Sequence, residues 1–166
     1  LSLDKDFGAD RLYRITAAPA TVMLSFQTIP YYNYLEIQQQ EGREGFMASQ
    51  VLGPEGSRVG WRIMKERAGL VVRSLSDKPQ RIAIRATAIS FEKQRTLVLM
   101  DGNNQVSSTA VGVQPAVITL AELELAPRQV LELNLNTPEG VSQLKTASGP
   151  LAASVALSSV RVDHLE

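Results

Sequence analysis

The chain has 166 residues, the size of one domain that can bury a core without help from disulfides or metals. Its 17 lysines and arginines balance 17 aspartates and glutamates, so net charge gives no argument for nucleic acid or an anionic membrane surface as a partner. The absence of cysteine excludes disulfides, thiolate metal sites and thiol catalysis.

The first 60 residues predict short strands separated by breaks. Alternating apolar and polar residues predict strands over residues 11–16, 21–29, 31–38 and 46–51. Pro19 and Pro30 end the first two, because proline has no N–H to donate to a sheet ladder. Residues 41–60 hold five glycines and Pro54, so around the short strand at 46–51 we expect a long irregular connection, functional or mobile.

Residues 81–111 carry the clearest strand and turn signals, after shorter strands at 61–64 and 69–74. Residues 81–88 alternate with period two, which predicts a half-buried strand whose apolar face is formed by Ile82, Ile84, Ala86 and Ala88. Residues 101–104, Asp-Gly-Asn-Asn, favour the tight turn of a hairpin. With a turn at 101–102 Leu97 faces Val106, and with a turn at 102–103 Leu99 faces Val106; the same face is buried in either register.

The remaining segments continue the pattern. Residues 116–120, 130–136 and 151–162 predict strands, with a bulge at Ser158-Ser159 before Val160 and Val162, and residues 137–150 predict a loop. Residues 120–125 are the one segment that could form a turn or two of helix, although they alternate as well.

About ten short strands, with turn signals every 8 to 12 residues or so, predict an all-β fold: a two-sheet antiparallel β-sandwich of the jelly-roll type. We predict one domain over residues 1–166, with a core sandwich at 51–163 and N-terminal strands within 1–50 that we do not assign to a sheet. Leu165-Glu166 is typical of a cloning site, and the chain begins at Leu1 without a signal peptide or a membrane-spanning run. We therefore expect a fragment of a longer protein.

The sequence offers little catalytic machinery. A Ser-His-Asp triad would depend on His164, close to the chain end, and there is no G-x-S-x-G elbow. Zinc-type ligand clusters and a Walker phosphate loop are also missing, so no cofactor or metal site is predicted. Acidic side chains and backbone carbonyls could hold a structural Ca²⁺ on a jelly roll, but no EF-hand-like ligand run supports one. A glycosidase pair could be drawn from four acids, but we favour solvated loop acids for Glu36, Glu41, Glu44 and Glu55.

Aromatic residues suggest a binding face. If Leu35 and Ile37 are buried, Tyr32 and Tyr34 emerge together on the opposite side of the strand, where a sugar ring could stack, whereas Tyr31 shares the face of Leu35 and Ile37. The alternative, which we favour, is that these tyrosines cover a sheet edge or pack under the 41–60 connection.

The only tryptophan, Trp61, permits two interpretations as well. We favour a core plug between the sheets over a ligand platform. Arg62 faces the opposite way and could pair with Glu55 or Glu66 at the surface.

Several segments in order resemble a known kind of module: Gly53-Pro54-Glu55, residues 60–64 (GWRIM), 68–72 (AGLVV), the strand at 82–90, 95–99 (RTLVL), Asp101-Gly102-Asn103 and the serine-rich 153–160. Over residues 53–162 the chain resembles the soluble β-sandwich module at the C-terminal end of some polytopic bacterial membrane transferases. These include glycosyltransferases that use lipid-linked sugars and related phosphoglycerol transferases. Met64 stands where such modules carry a second aromatic residue.

The resemblance implies an extracytoplasmic, non-catalytic, carbohydrate-binding-like domain, with any active site elsewhere in a parent protein. One hypothesis is an accessory module for glycan or lipid-linked sugar, with a ligand-binding region formed by Tyr31, Tyr32, Tyr34, Glu55, Trp61 and Arg62. The other is a structural or interaction domain that docks on its parent membrane domain or a partner and binds no small ligand. A free-standing glycosidase would need two facing carboxylates in a cleft.

Overall fold

A computed structural model describes residues 2–7, 10–14, 21–26, 45–52, 58–146 and 149–166. Every regular element in these ranges is a strand. The strands are β1 (Ser2–Phe7), β2 (Asp10–Arg14), β3 (Val22–Phe26), β4 (Phe46–Leu52), β5 (Arg58–Met64), β6 (Arg67–Ser74), β7 (Gln80–Ser90), β8 (Arg95–Asp101), β9 (Asn104–Val111), β10 (Ala116–Leu125), β11 (Val130–Asn136), β12 (Ser142–Thr146), β13 (Gly149–Ala153) and β14 (Val155–Leu165). The described residues include no helix with the length and hydropathy of a membrane span.

The strands form two five-stranded antiparallel sheets. Sheet I has the order β10-β7-β14-β5-β4, and sheet II has the order β3-β6-β11-β8-β9. Without the outermost strands β3 and β4, the two sheets have the orders β5-β14-β7-β10 and β6-β11-β8-β9, and the chain crosses between them after every strand except at the β8–β9 hairpin and the β12–β13 hairpin. This is the double Greek key of a jelly roll. The predicted fold class is therefore confirmed. Strands β1–β2 and β12–β13 pair as separate two-stranded sheets.

The core lies between sheets I and II and follows the period-two pattern. The predicted apolar face of β7 is confirmed, because Ile82, Ile84, Ala86 and Ala88 are each at most 1% exposed. Facing strands of sheet II contribute Leu70, Val72, Leu97, Leu99, Leu133 and Leu135. Full burial of one such leucine or isoleucine stabilises the fold by about 1.5–3 kcal/mol, so this layer is the main source of stability.

Two bulges keep that pattern in phase. In β14 the register with β7 shifts between Ser158 and Arg161, and Ser159 has a positive φ of 48°. The predicted bulge is thus confirmed, and the extra residue allows Val160 and Val162 to pack against the core instead of facing solvent. A second bulge in β10 lies between Thr119 and Ala121, on the other side of the same part of β7.

The predicted hairpin is β8–β9. Asp101 pairs with Asn104, so the turn is Gly102-Asn103, and Gly102 has the positive φ (56°) that such turns require. Neither predicted register holds, because Leu99 faces Ser107. A register shift next to Met100 inserts Val106, which packs against the core.

Three other segments differ from prediction. Residues 120–125 belong to β10 and are not helical. The predicted loop at 137–150 contains β12, and the predicted strand at 151–162 is divided by Ser154 into β13 and β14. Of the N-terminal strands, β3 extends sheet II and β4 extends sheet I. The strand predicted at 31–38 lies outside the described residues.

Side chains join the two sheets along both lateral sides. On one side the hydroxyls of Ser107 and Thr109 in β9 donate to the carbonyls of Leu120 and Thr119 in β10, the second at 3.0 Å. On the other side the Arg62 guanidinium of β5 lies 4.5 Å from the centre of the Phe26 ring of β3, a cation–π contact.

At one end of the sandwich Arg95 is 1% exposed, although its guanidinium is charged. Its Nε donates to the Gly140 carbonyl at 2.9 Å, its Nη2 to Ser142 Oγ at 2.7 Å and its Nη1 to Ser90 Oγ at 3.0 Å. Nη1 also contacts the carbonyls of Phe91, Lys93 and Ser154. No carboxylate pairs with Arg95 in the described part of the chain, so the buried charge is satisfied by neutral acceptors from three connections.

We predict that Arg95→Met destabilises the domain by about 3 kcal/mol, because it leaves several buried carbonyls without a donor. Urea unfolding monitored by circular dichroism measures this change. Ser142→Ala, which removes one acceptor of Arg95, should lower the free energy of unfolding by about 1.5–3 kcal/mol. This second variant tests the same role if Arg95→Met does not fold. The matched control Arg161→Met removes an exposed arginine and should change stability by less than about 1 kcal/mol. Equal unfolding midpoints for Ser142→Ala and Arg161→Met would contradict the assigned role of Arg95.

Candidate functional site

The outer face of sheet II carries both polar and apolar side chains, which alternate along each strand with the core residues. In β6 the core positions Leu70 and Val72 leave Gly69, Val71 and Arg73 facing outward. Register aligns these with neighbours: Ser25 and Glu132 both pair with Val71, and Asn134 pairs with Gly69. Paired side chains across antiparallel strands lie about 5 Å apart, so these groups share one small area.

A groove of about 590 Å³ lies on this area. It is lined by Ser25, Phe26, Gly69, Leu70, Val71, Gly102, Glu132, Leu133 and Asn134. Gly69 opens the groove because it contributes no side chain in the middle of the strand, and Gly102 of the β8–β9 turn forms one rim. Val71 adds an apolar surface beside Gly69. We call this feature the Gly69 groove.

The polar groups of the Gly69 groove make no contacts that would occupy them. Ser25, Glu132 and Asn134 are exposed, and no hydrogen bond or ion pair joins them to other residues in the part of the chain that the structure describes. Together they offer a hydroxyl, a carboxylate and an amide around an apolar patch. Such a set can donate to and accept from the hydroxyls of a polyol while the patch receives its C–H face.

The outer face of sheet I is different, because its charges pair with one another. Arg81 lies 3.5 Å from Glu124, Arg85 lies 3.1 Å from Asp163, and Arg161 lies 3.4 Å from Asp163. These partly exposed pairs contribute little stability, but their charged groups already have partners and are not free for a ligand.

Of the six sequence-predicted site residues, two, Trp61 and Arg62, lie in the described part of the chain. Tyr31, Tyr32, Tyr34 and Glu55 lie outside the described residues, as do Glu36, Glu41 and Glu44. Trp61 is half-buried on the outer face of sheet I, the same side as Ile63, and is not a plug between the sheets.

Arg62 points inward and stacks on Phe26 instead of meeting Glu66. Because Phe26 lines the Gly69 groove, Arg62 supports that groove from behind.

Sequence reasoning missed the residues of the groove. Glu132 and Asn134 are the polar positions of the segment VLELNLN, whose alternation was clear, and Ser25 is the polar position of β3. Period two assigned them to a solvent face. Their meeting depends on strand order, which brings β3, β6 and β11 side by side.

A second cavity of about 350 Å³ lies at the sandwich end beneath Arg95. It is lined by Glu66, Arg67, Asn136, Thr137, Pro138 and Gly140. Beside it Glu139 Oε1 accepts the Thr96 N–H at 2.9 Å, and the Lys93 ammonium donates to the Glu139 carbonyl at 3.2 Å.

Slight desolvation acts to raise the pKa of Glu139, but hydrogen bonds from Thr96 and its own backbone, together with the charge of Lys93, hold it below the ordinary value. No group of three or more His, Asp or Glu residues suited to a metal ion occurs in the described ranges.

Comparison with known proteins gives structural likenesses alone. No protein-family model and no curated protein sequence matches the chain. The chain is similar in structure to the Cry4Aa toxin of Bacillus thuringiensis, with a TM-score of 0.47 and 14% identity over 72% of this chain and 21% of the toxin chain. It thus spans about a fifth of that toxin.

Carbohydrate-binding modules of β-sandwich fold are also among the similar structures. Module CBM6cm-2 of Cellvibrio mixtus lichenase 5A, solved with cellotriose, has a TM-score of 0.44 and 10% identity, covering 72% of this chain and 88% of that one. The C-terminal CBM6 of LamC from Zobellia galactanivorans has a TM-score of 0.34 and 8% identity, covering 67% and 87%. At such identities and TM-scores these likenesses carry no argument about ligands.

We predict that the Glu139 carboxyl titrates below 4.5, its ordinary value, in a ¹³C NMR titration. The pKa of the Glu139 carboxyl is lower in the folded than in the unfolded chain. The ionised carboxylate therefore stabilises the fold at pH values above the unfolded-state pKa, and this stabilisation is lost as the pH falls through the folded-state pKa. Glu139→Gln should therefore be less stable than the parent chain at pH 7, and the stabilities of the two should converge as the pH falls through the folded-state pKa of Glu139. A midpoint at or above 4.5 would disprove the contact between Glu139 and Thr96.

Proposed function

We propose that this chain is a non-catalytic module that binds carbohydrate in the Gly69 groove. The observation that carries the proposal is the set of unoccupied polar groups, Ser25, Glu132 and Asn134, around a strand position without a side chain. Among the described residues that line the groove, Glu132 is the one acid. Glycoside hydrolysis ordinarily uses two carboxylates, so this lining favours binding over cleavage.

The chemistry of a sugar ring matches this lining. Its hydroxyls are both donors and acceptors, and a carboxylate can accept from two neighbouring hydroxyls at once. Its C–H face is apolar and can lie on Val71 and the open backbone at Gly69. A hydrogen bond to a charged group contributes about 1.5–3 kcal/mol and one to a neutral group about 1 kcal/mol, so a few contacts of this kind give weak but selective binding.

We further propose that the tyrosines of residues 31–34 add a stacking surface to the groove, because the ring of Phe26 packs inward against the core and Arg62. Phe26, which lines the groove, is the last residue of β3, and Tyr31 follows it by five positions in the sequence. Five residues span at most about 17 Å, so the tyrosine segment begins within reach of the groove. After that segment in the sequence, the Gly45 N–H donates to the carbonyl of Arg67, which lies in β6 like Gly69.

The resemblance to modules of membrane transferases supports a proposed context. We place the module outside the cytoplasm, as an accessory domain of a membrane-bound glycan-modifying transferase whose active site is elsewhere. Tethering a binding module beside an enzyme raises the local concentration of its substrate without adding catalytic groups. A lipid-linked sugar would serve such an enzyme as well as a polymeric glycan.

The second candidate is a structural or interaction domain without a small ligand. Exposed apolar side chains favour it: Val113 is 45% exposed and Val117 63%, both near the β9–β10 connection. In this case that end of the sandwich would contact the parent membrane domain or another protein.

We predict that Glu132→Gln and Asn134→Ala each lower the affinity for the bound glycan by about tenfold, and that Gly69→Val, which places a side chain in the groove, abolishes binding. Ligands would first be found on an array of neutral and acidic oligosaccharides, and affinities measured by calorimetry. Glu124→Gln on sheet I is the matched control and should bind as the parent chain does. The proposal fails if no glycan binds, or if the groove variants bind as well as Glu124→Gln.

A further inference from the structure

Beyond one end of the Gly69 groove, on the same outer face of sheet II, lies an arginine that no other described residue engages. Arg73 lies two positions beyond Val71 on β6, about 6.6 Å along the strand, and faces the same outer side. It is exposed and forms no ion pair or hydrogen bond within the described residues. By contrast Arg67, at the other end of β6, already has an interaction.

The surroundings of Arg73 would strengthen its hold on an anion. Register pairs Arg73 with Met23 on one side and Val130 on the other, and these side chains are 49% and 44% exposed. Apolar neighbours displace water around the guanidinium stem and lower the local screening of its charge. An anion bound there would gain charge-assisted hydrogen bonds in the fork geometry of arginine.

The nearest acid on the same face leaves Arg73 free. Glu132 pairs with Val71, which makes it the diagonal neighbour of Arg73 at about 7–8 Å. No ion pair joins the two, whereas sheet I shows three arginines within 3.1–3.5 Å of acids. The face of sheet II thus presents a cation at one end and hydroxyl-binding groups, Glu132 and Asn134, next to it.

From this arrangement we infer that the Gly69 groove prefers an anionic sugar, one whose carboxylate or phosphate lies at Arg73 while its hydroxyls meet Glu132 and Asn134. The inference rests on the proposed function and assigns the ligand class and a specificity-determining residue to that site. Orientation follows, because the acidic group points towards the Met23 and Val130 end of the sheet and the neutral part of the ring lies over Gly69.

The test uses matched probes that differ only in charge: tetragalacturonic acid against its methyl ester, and an oligomannose that ends in mannose 6-phosphate against the plain oligomannose. The parent chain should bind at least one acidic probe about tenfold more tightly than its neutral partner at low salt, with the preference shrinking at high salt. The probe pairs distinguish a uronate from a phosphate. Arg73→Gln should remove the preference and keep the neutral affinity, whereas Arg161→Gln, an exposed arginine on sheet I, should keep both.

Other outcomes separate the two proposals. If neutral and acidic probes bind equally, or if Arg73→Gln retains the preference, the role of Arg73 is disproved. In that event a loss of binding in Glu132→Gln still supports the groove as a glycan site. If none of the four probes binds and the array is also negative, both proposals fail.

Discussion

The buried guanidinium of Arg95 is the constraint on which the end of the sandwich depends. A cation removed from water requires hydrogen bonds in every direction, and here they come from the β7–β8 turn, the β11–β12 connection and Ser154 between β13 and β14. Ser154 in turn donates to the carbonyls of Met64 and Lys65, which ties β5 to the same point. No single acceptor carries a charge that could balance the guanidinium, so Arg95 depends on all of these hydrogen bonds at once. A shift of any one of the three connections would therefore leave part of the buried charge unsatisfied.

The outer faces of the two sheets differ in whether their polar side chains already have partners. On sheet I arginines and acids pair, and the β12–β13 hairpin adds a small apolar cluster in which Leu151 packs with Ile63 and Phe91. On sheet II the side chains around Gly69 stay uncommitted. The same ladder that buries Leu70 and Leu133 inward presents Val71, Glu132 and Asn134 outward, so the groove inherits its rigidity from the core directly beneath it.

The sequence predicted the fold class and the buried faces, because period-two alternation in β7 and β11 reports them directly. It could not give strand order, and so could not show that Ser25 and Glu132 meet across Val71. Trp61 was misjudged because size alone suggested a core position, while alternation with Met64 places it outside. Arg95 begins a strand like any other polar residue, and only tertiary structure shows that it is enclosed. The predicted tyrosine platform lies outside the described residues and stays a prediction.

The hydroxyl contacts between β9 and β10 affect how readily sheet I can pair with another protein molecule. Unpaired main-chain groups on an edge strand can pair with a strand of a neighbouring polypeptide, which is a route to aggregation. Here Ser107 and Thr109 occupy the outward carbonyls of Leu120 and Thr119. A strand of another protein molecule therefore cannot use these two carbonyls to extend sheet I beyond β10.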